Sequence, residues 1–456
     1  MLGNKTLKVI LIISGILIAL VIIVAPIQLI IANKYIEQGN ENLKKHFFKS
    51  AFLNYEKASA LIPNDEKLKI QMGDIYSLKS NLGAAEKEYR KAVKINRNNP
   101  GVNFKLIKTL LLEKKLKEAE KIVEKLPSKV QENPEVQIQA ARVYTNSGKI
   151  DDALNILNQN TKDEAKFYQA VFYIAKKDFP KAKNLLEEIN PDSDYLKNYT
   201  SIVNSAFEKI ASSENEIFKT VILAESLNEI DEPYLAEKLL KEALEKNPDY
   251  RDALIFLGYS KFLQKDPGKA KNYLEKAIEK DNVYGLTYYF LGKVLLGENN
   301  KEEAKNNFEK AIEFGYKNKE SYKLLAETEK ELKDFSKAEE HFKKALEFDQ
   351  TDKELLLGII EVLIEQKKFD EAEQFALKNE DNKSLGWVYL EKDDLEKSLD
   401  YLKKAQEEKP YSAFIALKLG ELLKKQGKNS EAKEYFKKAV EYDLTGELAK
   451  LAEKNL

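Results

Sequence analysis

Very little in this chain could do covalent or acid–base chemistry. It has no cysteine among 456 residues, which removes disulfides, thiolate metal sites and thiol nucleophiles together. Only two imidazoles exist, His46 and His341, nearly 300 residues apart in sequence and assigned to amphipathic helices as surface or groove residues. The acidic pairs Asp151–Asp152 and Asp393–Asp394 stand where two helices are expected to join, and solvated helix N-caps are their ordinary use. There is no glycine-rich phosphate loop, no nucleophile elbow and no zinc-binding helix signature. No catalytic residue, metal ligand or cofactor-binding residue is assigned.

The charge balance narrows the field further. With 75 Lys+Arg against 76 Asp+Glu the net charge is -1, which argues against a general nucleic-acid binder, since that needs a basic excess. The charges are unevenly placed. No charged residue occurs from Val9 to Asn33, and seventeen of the 24 positions from Val9 to Ala32 are Val, Ile or Leu. As a helix that run spans about 36 Å against a hydrocarbon core of about 30 Å. Residues 1–31 are therefore expected to form a single transmembrane anchor. The run exceeds the core of a cleavable signal peptide, and no small-x-small site follows it. Lys5 and Lys8 before it suggest an uncleaved signal anchor with the large domain on the extracytoplasmic side, although the positive-inside count over both flanks is a near tie.

The rest of the chain is one motif repeated. Residues 257–281 (LGYSKFLQKDPGKAKNYLEKAIEKD), 291–315 (LGKVLLGENNKEEAKNNFEKAIEFG) and 325–349 (LAETEKELKDFSKAEEHFKKALEFD) align at an offset of 34, and 72–96 and 419–443 share the frame. Gly39, Gly73, Gly258, Gly292, Gly386 and Gly420 occupy one slot of a first helix. Ala270, Ala304 and Ala338 mark a slot of a second helix, with Ala277, Ala311 and Ala345 seven residues on and Leu274, Phe308 or Phe342 between. Small residues let helix backbones approach and the bulky one fills the adjoining gap, a pattern suited to stacked antiparallel helix pairs.

The period, the Leu-Gly pair, the two Ala slots and a repeat-end Pro (Pro63, Pro248, Pro410) resemble the tetratricopeptide repeat family. Twelve such repeats can be drawn from Ala32 to Gly446. Those starting near Pro134 and Lys353 are short by about 5 and 8 residues, and about 20 extra residues intervene before Ala236. In the extra piece Tyr195, Leu196, Tyr199, Ile202, Val203, Ala206, Phe207 and Ile210 recur at helical spacing. The expected order is an anchor at 1–31, repeats at 32–194, an extra amphipathic helix at 195–216, repeats at 217–446 and a capping helix at 447–456. The resemblance implies an all-α solenoid of antiparallel helix pairs in a right-handed superhelix.

It also implies a binding role, with first helices lining a groove for a peptide or helix partner. The slots used by relatives that grip acidic chaperone tails through Lys and Asn hold Ile36 with Asn40, Ile70 with Asp74, Phe104 with Lys108 and Ile255 with Tyr259, so that activity is not expected. Phe218, Val221, Ile255, Tyr259, Phe262, Leu286 and Tyr289 form an apolar, aromatic strip suited to an apolar peptide or helix, and Trp387 is a further candidate anchor. The reading is a membrane-anchored, non-enzymatic scaffold or adaptor for protein–protein interaction at the cell envelope. A cytoplasm-facing assembly or quality-control factor is the alternative. One such family adds a cysteine-rich metal domain, which this chain lacks.

Overall fold

The computed structural model describes the backbone of residues 4–191 and 193–456, with side chains from 24 onward. Among the described residues there are 27 helices and no strand. No helix among them is long and apolar enough to cross a membrane. The anchor expected over residues 1–31 falls for the most part on residues 1–23, outside the residues whose side chains are described. The first helix, Asn4–Lys44, carries Pro26 inside it and runs on into the first repeat, where Ala32 is fully buried.

Several repeats are helix pairs closed by the same contact. A Cβ built on Gly73 would stand 2.5 Å from the Tyr89 ring, and one on Gly420 would stand 2.6 Å from Phe436. At these two positions glycine lets the ring of the second helix lie on the backbone of the first. Alanines flank each ring, as Ala85 and Ala92 flank Tyr89, and all of these are buried. Short polar caps start the helices: the Asp266 side chain accepts from the Lys269 amide, and Asn318 forms a capping box with Ser321.

The turn inside each pair is equally regular. Twelve residues there hold a left-handed backbone: His46, Ser80, Lys114, Gly148, Lys177, Asp231, Lys265, Asn299, Lys333, Lys367, Asp393 and Gly427. They follow at intervals of 34 except where the chain is 5 residues short before Lys177, 20 long before Asp231 and 8 short before Asp393. His46 thus lies in a turn and not on a helix. Ten of the twelve are not glycine, although glycine carries no steric penalty there. Lys265, Lys333 and Lys367 are exposed. Replacing all three with Gly is expected to raise stability by about 2 kcal/mol, the sites being far enough apart to add. Urea unfolding should show a higher midpoint at unchanged slope.

The chain forms two compact units. The first comprises residues 1–113, 126–130 and 402–456. In it the first repeat touches the last: the backbone amide of Ser50 donates to Glu441 at 2.9 Å, Lys49 pairs with Glu453 at 2.8 Å, and the His46 ring stacks on Tyr411 at 4.0 Å. The short helix Glu447–Glu453 closes the chain, with Ala452 buried. The second unit comprises residues 114–125 and 131–401. One continuous core runs through it from Ile138 to Leu325, and a second from Ala326 to Tyr389. The extra helix is Asp194–Ile210, and its apolar face (Leu196, Val203, Ala206, Ile210) belongs to the first of these cores.

Candidate partner-binding face

In the second unit four first helices follow one another: Glu216–Glu229, Arg251–Leu263, Gly285–Gly297 and Lys319–Glu331. The small residue that receives the second helix is Ala224, Gly258, Gly292 or Ala326. The residue after it therefore takes an equivalent place on each helix. Those residues are Glu225, Tyr259, Lys293 and Glu327, at offsets of 34. None of the four is buried.

The aromatic expectations divide. Val221 and Ile255 are fully packed, at 1% and 0% exposure, and Tyr289 is 6% exposed. Phe218, Tyr259, Phe262 and Leu286 are half-buried against the same core. Phe262 covers the backbone of Gly297, where a Cβ would lie 2.7 Å from its ring. The Tyr259 ring meets Phe290 at 4.5 Å and Phe262 at 6.3 Å, and Tyr289 meets Phe290 at 5.2 Å and Tyr316 at 5.0 Å. Trp387 stands apart, on helix Asn382–Glu391 against the other core, donating to Glu391 at 3.1 Å.

The charged members of this face lie outside any apolar pattern. Lys293 reaches across the rings, its Nζ 4.9 Å from the centre of Tyr259, 5.4 Å from Tyr289 and 5.9 Å from Phe290. It donates to the Tyr259 hydroxyl at 3.4 Å. Burial lowers its pKa, and Glu320 opposes that in part. Glu225 lies beside a cleft of about 240 Å³ between the extra helix and Glu216–Glu229, with Glu229, Lys209, Ser201 and Ser205 around it. Burial pushes Glu225 up to about 6; Lys209 counters this, while Glu229 and Asp252 add to it. The 34-residue offset was the signal that would have found Lys293 and Glu225 beside Tyr259.

A carboxyl raised in the folded state is penalised when charged. Its cost is absent below the ordinary glutamate pKa and appears as pH rises through about 6. Glu225→Gln should therefore raise stability by about 1–2 kcal/mol at pH 7.5 and leave it unchanged near pH 4. Thermal unfolding at the two pH values checks the sign.

His341 Nδ1 lies 2.7 Å from the fully buried Glu329 carboxylate. Among the described residues no group of three or more His, Cys, Asp or Glu side chains is placed to hold a metal.

Comparison with known proteins agrees with the repeat reading. Tetratricopeptide repeat families match residues 78–137 and 331–378, and residues 252–282, 287–314, 384–411 and 415–445. These repeats are thus present in the chain. No curated protein matches the sequence. Among solved structures, the APC/C hetero-tetramer Cut9-Hcn1 is similar over 92% of this chain and 96% of its own, at 13% identity and a TM-score of 0.40. Yeast Tom70 is similar over 93% and 95%, at 16% identity and 0.34. YrrB, described as a TPR protein with an unusual peptide-binding site, covers 47% of this chain and 97% of its own, at 21% identity and 0.34.

Proposed function

We propose that this tetratricopeptide repeat chain is a non-enzymatic scaffold, held at a membrane by its N-terminal apolar run, that binds a protein partner on the inner face of residues 217–331. The face between Glu225 and Glu327 carries the reading. It sets half-buried rings beside charged groups that make no ion pair among the described residues, an arrangement that leaves their charges available to a ligand. Tethering is supported by the sequence from Val9 to Ala32 and by the exposed side chains that end it. Val24, Ile27, Leu29, Ile30 and Ile31 are all open, Ile30 by 69%. Helix Asn4–Lys44 continues into the first repeat, so the apolar run leads straight into that repeat. Confinement near a membrane raises the effective concentration of membrane-bound partners.

The test is made in cells. The full chain should sediment with membranes and resist alkaline extraction, whereas a chain lacking residues 1–31 should not. Protease added to intact cells should cut the repeats if they face outward, and spare them in the cytoplasm-facing alternative. Tyr259→Ala should reduce the set of proteins that co-purify while helicity is kept. Unchanged co-purification with Tyr259→Ala and Lys293→Ala together would overturn the binding face. Release of the full chain by alkaline extraction would overturn the anchor.

A further inference from the structure

The order of side chains along this shared face carries a charge pattern. Glu225, Tyr259, Lys293 and Glu327 take one slot on four successive first helices, so they read acid, ring, base, acid across the face. Neither Glu225, Glu229, Lys293 nor Glu327 makes an ion pair among the described residues, although the neighbouring Lys323 and Lys330 are engaged by Glu354 and Glu361. Packed helices lie about 10 Å apart, which puts Glu225 and Lys293, two steps apart, about 20 Å from one another. An extended chain rises about 3.3 Å per residue and crosses that distance in about six residues. One more step, to Glu327, takes about three.

Resting on the inner-face reading above, we infer that the partner presents an extended segment of alternating charge. It has a Lys or Arg against Glu225, an Asp or Glu about six residues away against Lys293, and a second basic residue about three further on against Glu327. Tyr259, between the first two, receives an apolar or aromatic side chain. The rings around Lys293 exclude water from one side of its ammonium, so an incoming carboxylate meets a poorly hydrated cation. In the free protein burial disfavours the charged forms of Glu225, Glu327 and Lys293 alike, and opposite charges on a ligand relieve all three. A uniformly basic or acidic segment would relieve one sign and oppose the other.

Fluorescence anisotropy with the full chain in detergent micelles and labelled synthetic peptides of about twelve residues tests this. The first peptide carries Lys and Glu about six residues apart, a second Lys about three further on, and Leu and Tyr between. Analogues have every charge Lys, every charge Glu, or the Lys–Glu spacing cut to about two. The first peptide should bind at least tenfold more tightly than any analogue. Lys293→Glu should weaken it at least tenfold and strengthen the all-Lys peptide, and Lys293→Gln should weaken it with less risk to folding. Circular dichroism confirms that each variant is helical. Equal binding of all four peptides, or binding of none, overturns the inference. If Tyr259→Ala releases every peptide but the charges make no difference, the face stands and the pattern is wrong. If Tyr259→Ala and both Lys293 variants change nothing, the inner-face reading fails and the pattern with it.

Discussion

Replacing Arg142 with Ala is expected to cost about 3–5 kcal/mol, much more than removing an exposed ion pair. Glu232, just before helix Pro233–Lys246, is 0% exposed. Its Oε1 accepts from Arg142 Nε at 2.8 Å and Nη2 at 2.7 Å, while its buried Oε2 has no partner. Burial drives the Glu232 pKa up, and Arg142 holds it back. The same guanidinium lies over the Tyr168 ring at 5.0 Å. Without Arg142 the carboxyl must ionise in a dry site or take up a proton. The variant should therefore recover stability as pH falls toward 5, the reverse of ordinary acid denaturation. Arg142→Met with Glu232→Gln should regain most of the loss, because no buried charge is then left alone. Urea unfolding of the two single variants and the double variant at pH 7.5 and 5 gives the coupling directly.

This pair also alters how damage spreads. In a simple solenoid each repeat leans only on its neighbours. Here Arg142 and Glu232 are 90 residues apart, and two more links bridge comparable gaps: Lys114 to Asp231 at 2.9 Å, and Lys177 to Glu242 at 2.5 Å. The extra helix Asp194–Ile210 lengthens the chain before Asp231 and lets helix Pro233–Lys246 return against Pro134–Asn146 and Asp163–Ala175. Hydrogen exchange in Arg142→Ala should accelerate in 134–146 and 233–246 together. Acceleration confined to 134–146 would mean that the link carries little.

These links were not legible in the sequence, while the repeat register was. A ring that must lie on a glycine forces small and large residues into fixed slots, and fixed slots recur visibly. The left-handed turn is imposed by helix pairing and tolerates Lys, Ser or Asn, so Lys265 and Lys333 read as ordinary surface residues. Arg142 and Glu232 meet through a fold-back with no period, leaving no pattern to find. The proposed binding face was half legible for a similar reason. Slot position picked out Tyr259 and Phe262, but position alone does not say what the next repeat covers, so Val221 and Ile255 carry the right slot and lie in the core. Lys293 and Glu225 share Tyr259's slot, but a charged residue there reads like any solvated surface group.

The register admits a test in which a substitution changes sign with its background. Phe308 is 0% exposed, between Ala304 and Ala311, and its ring lies where a Cβ on Gly292 would come within 2.6 Å of Cε1. Phe308→Ala should cost about 3–5 kcal/mol through lost burial and the cavity left behind. Gly292→Ala should cost about 1–3 kcal/mol despite alanine's better helix propensity, because three ring atoms would lie within 3.0 Å of the new methyl and the ring must move. Placed together, the methyl meets empty space, part of the cavity is filled, and alanine's propensity advantage of about 1 kcal/mol is realised. Gly292→Ala should then stabilise the Phe308→Ala protein. Penalties that simply add would show that the ring does not rest on this glycine. The consequence reaches the proposed binding face, because Lys293 follows Gly292 and Tyr289 packs on Phe308 at 6.3 Å. Gly292→Ala alone should displace the Gly285–Gly297 helix, separate Lys293 from Tyr259, and weaken partner binding at a site the substitution never touches.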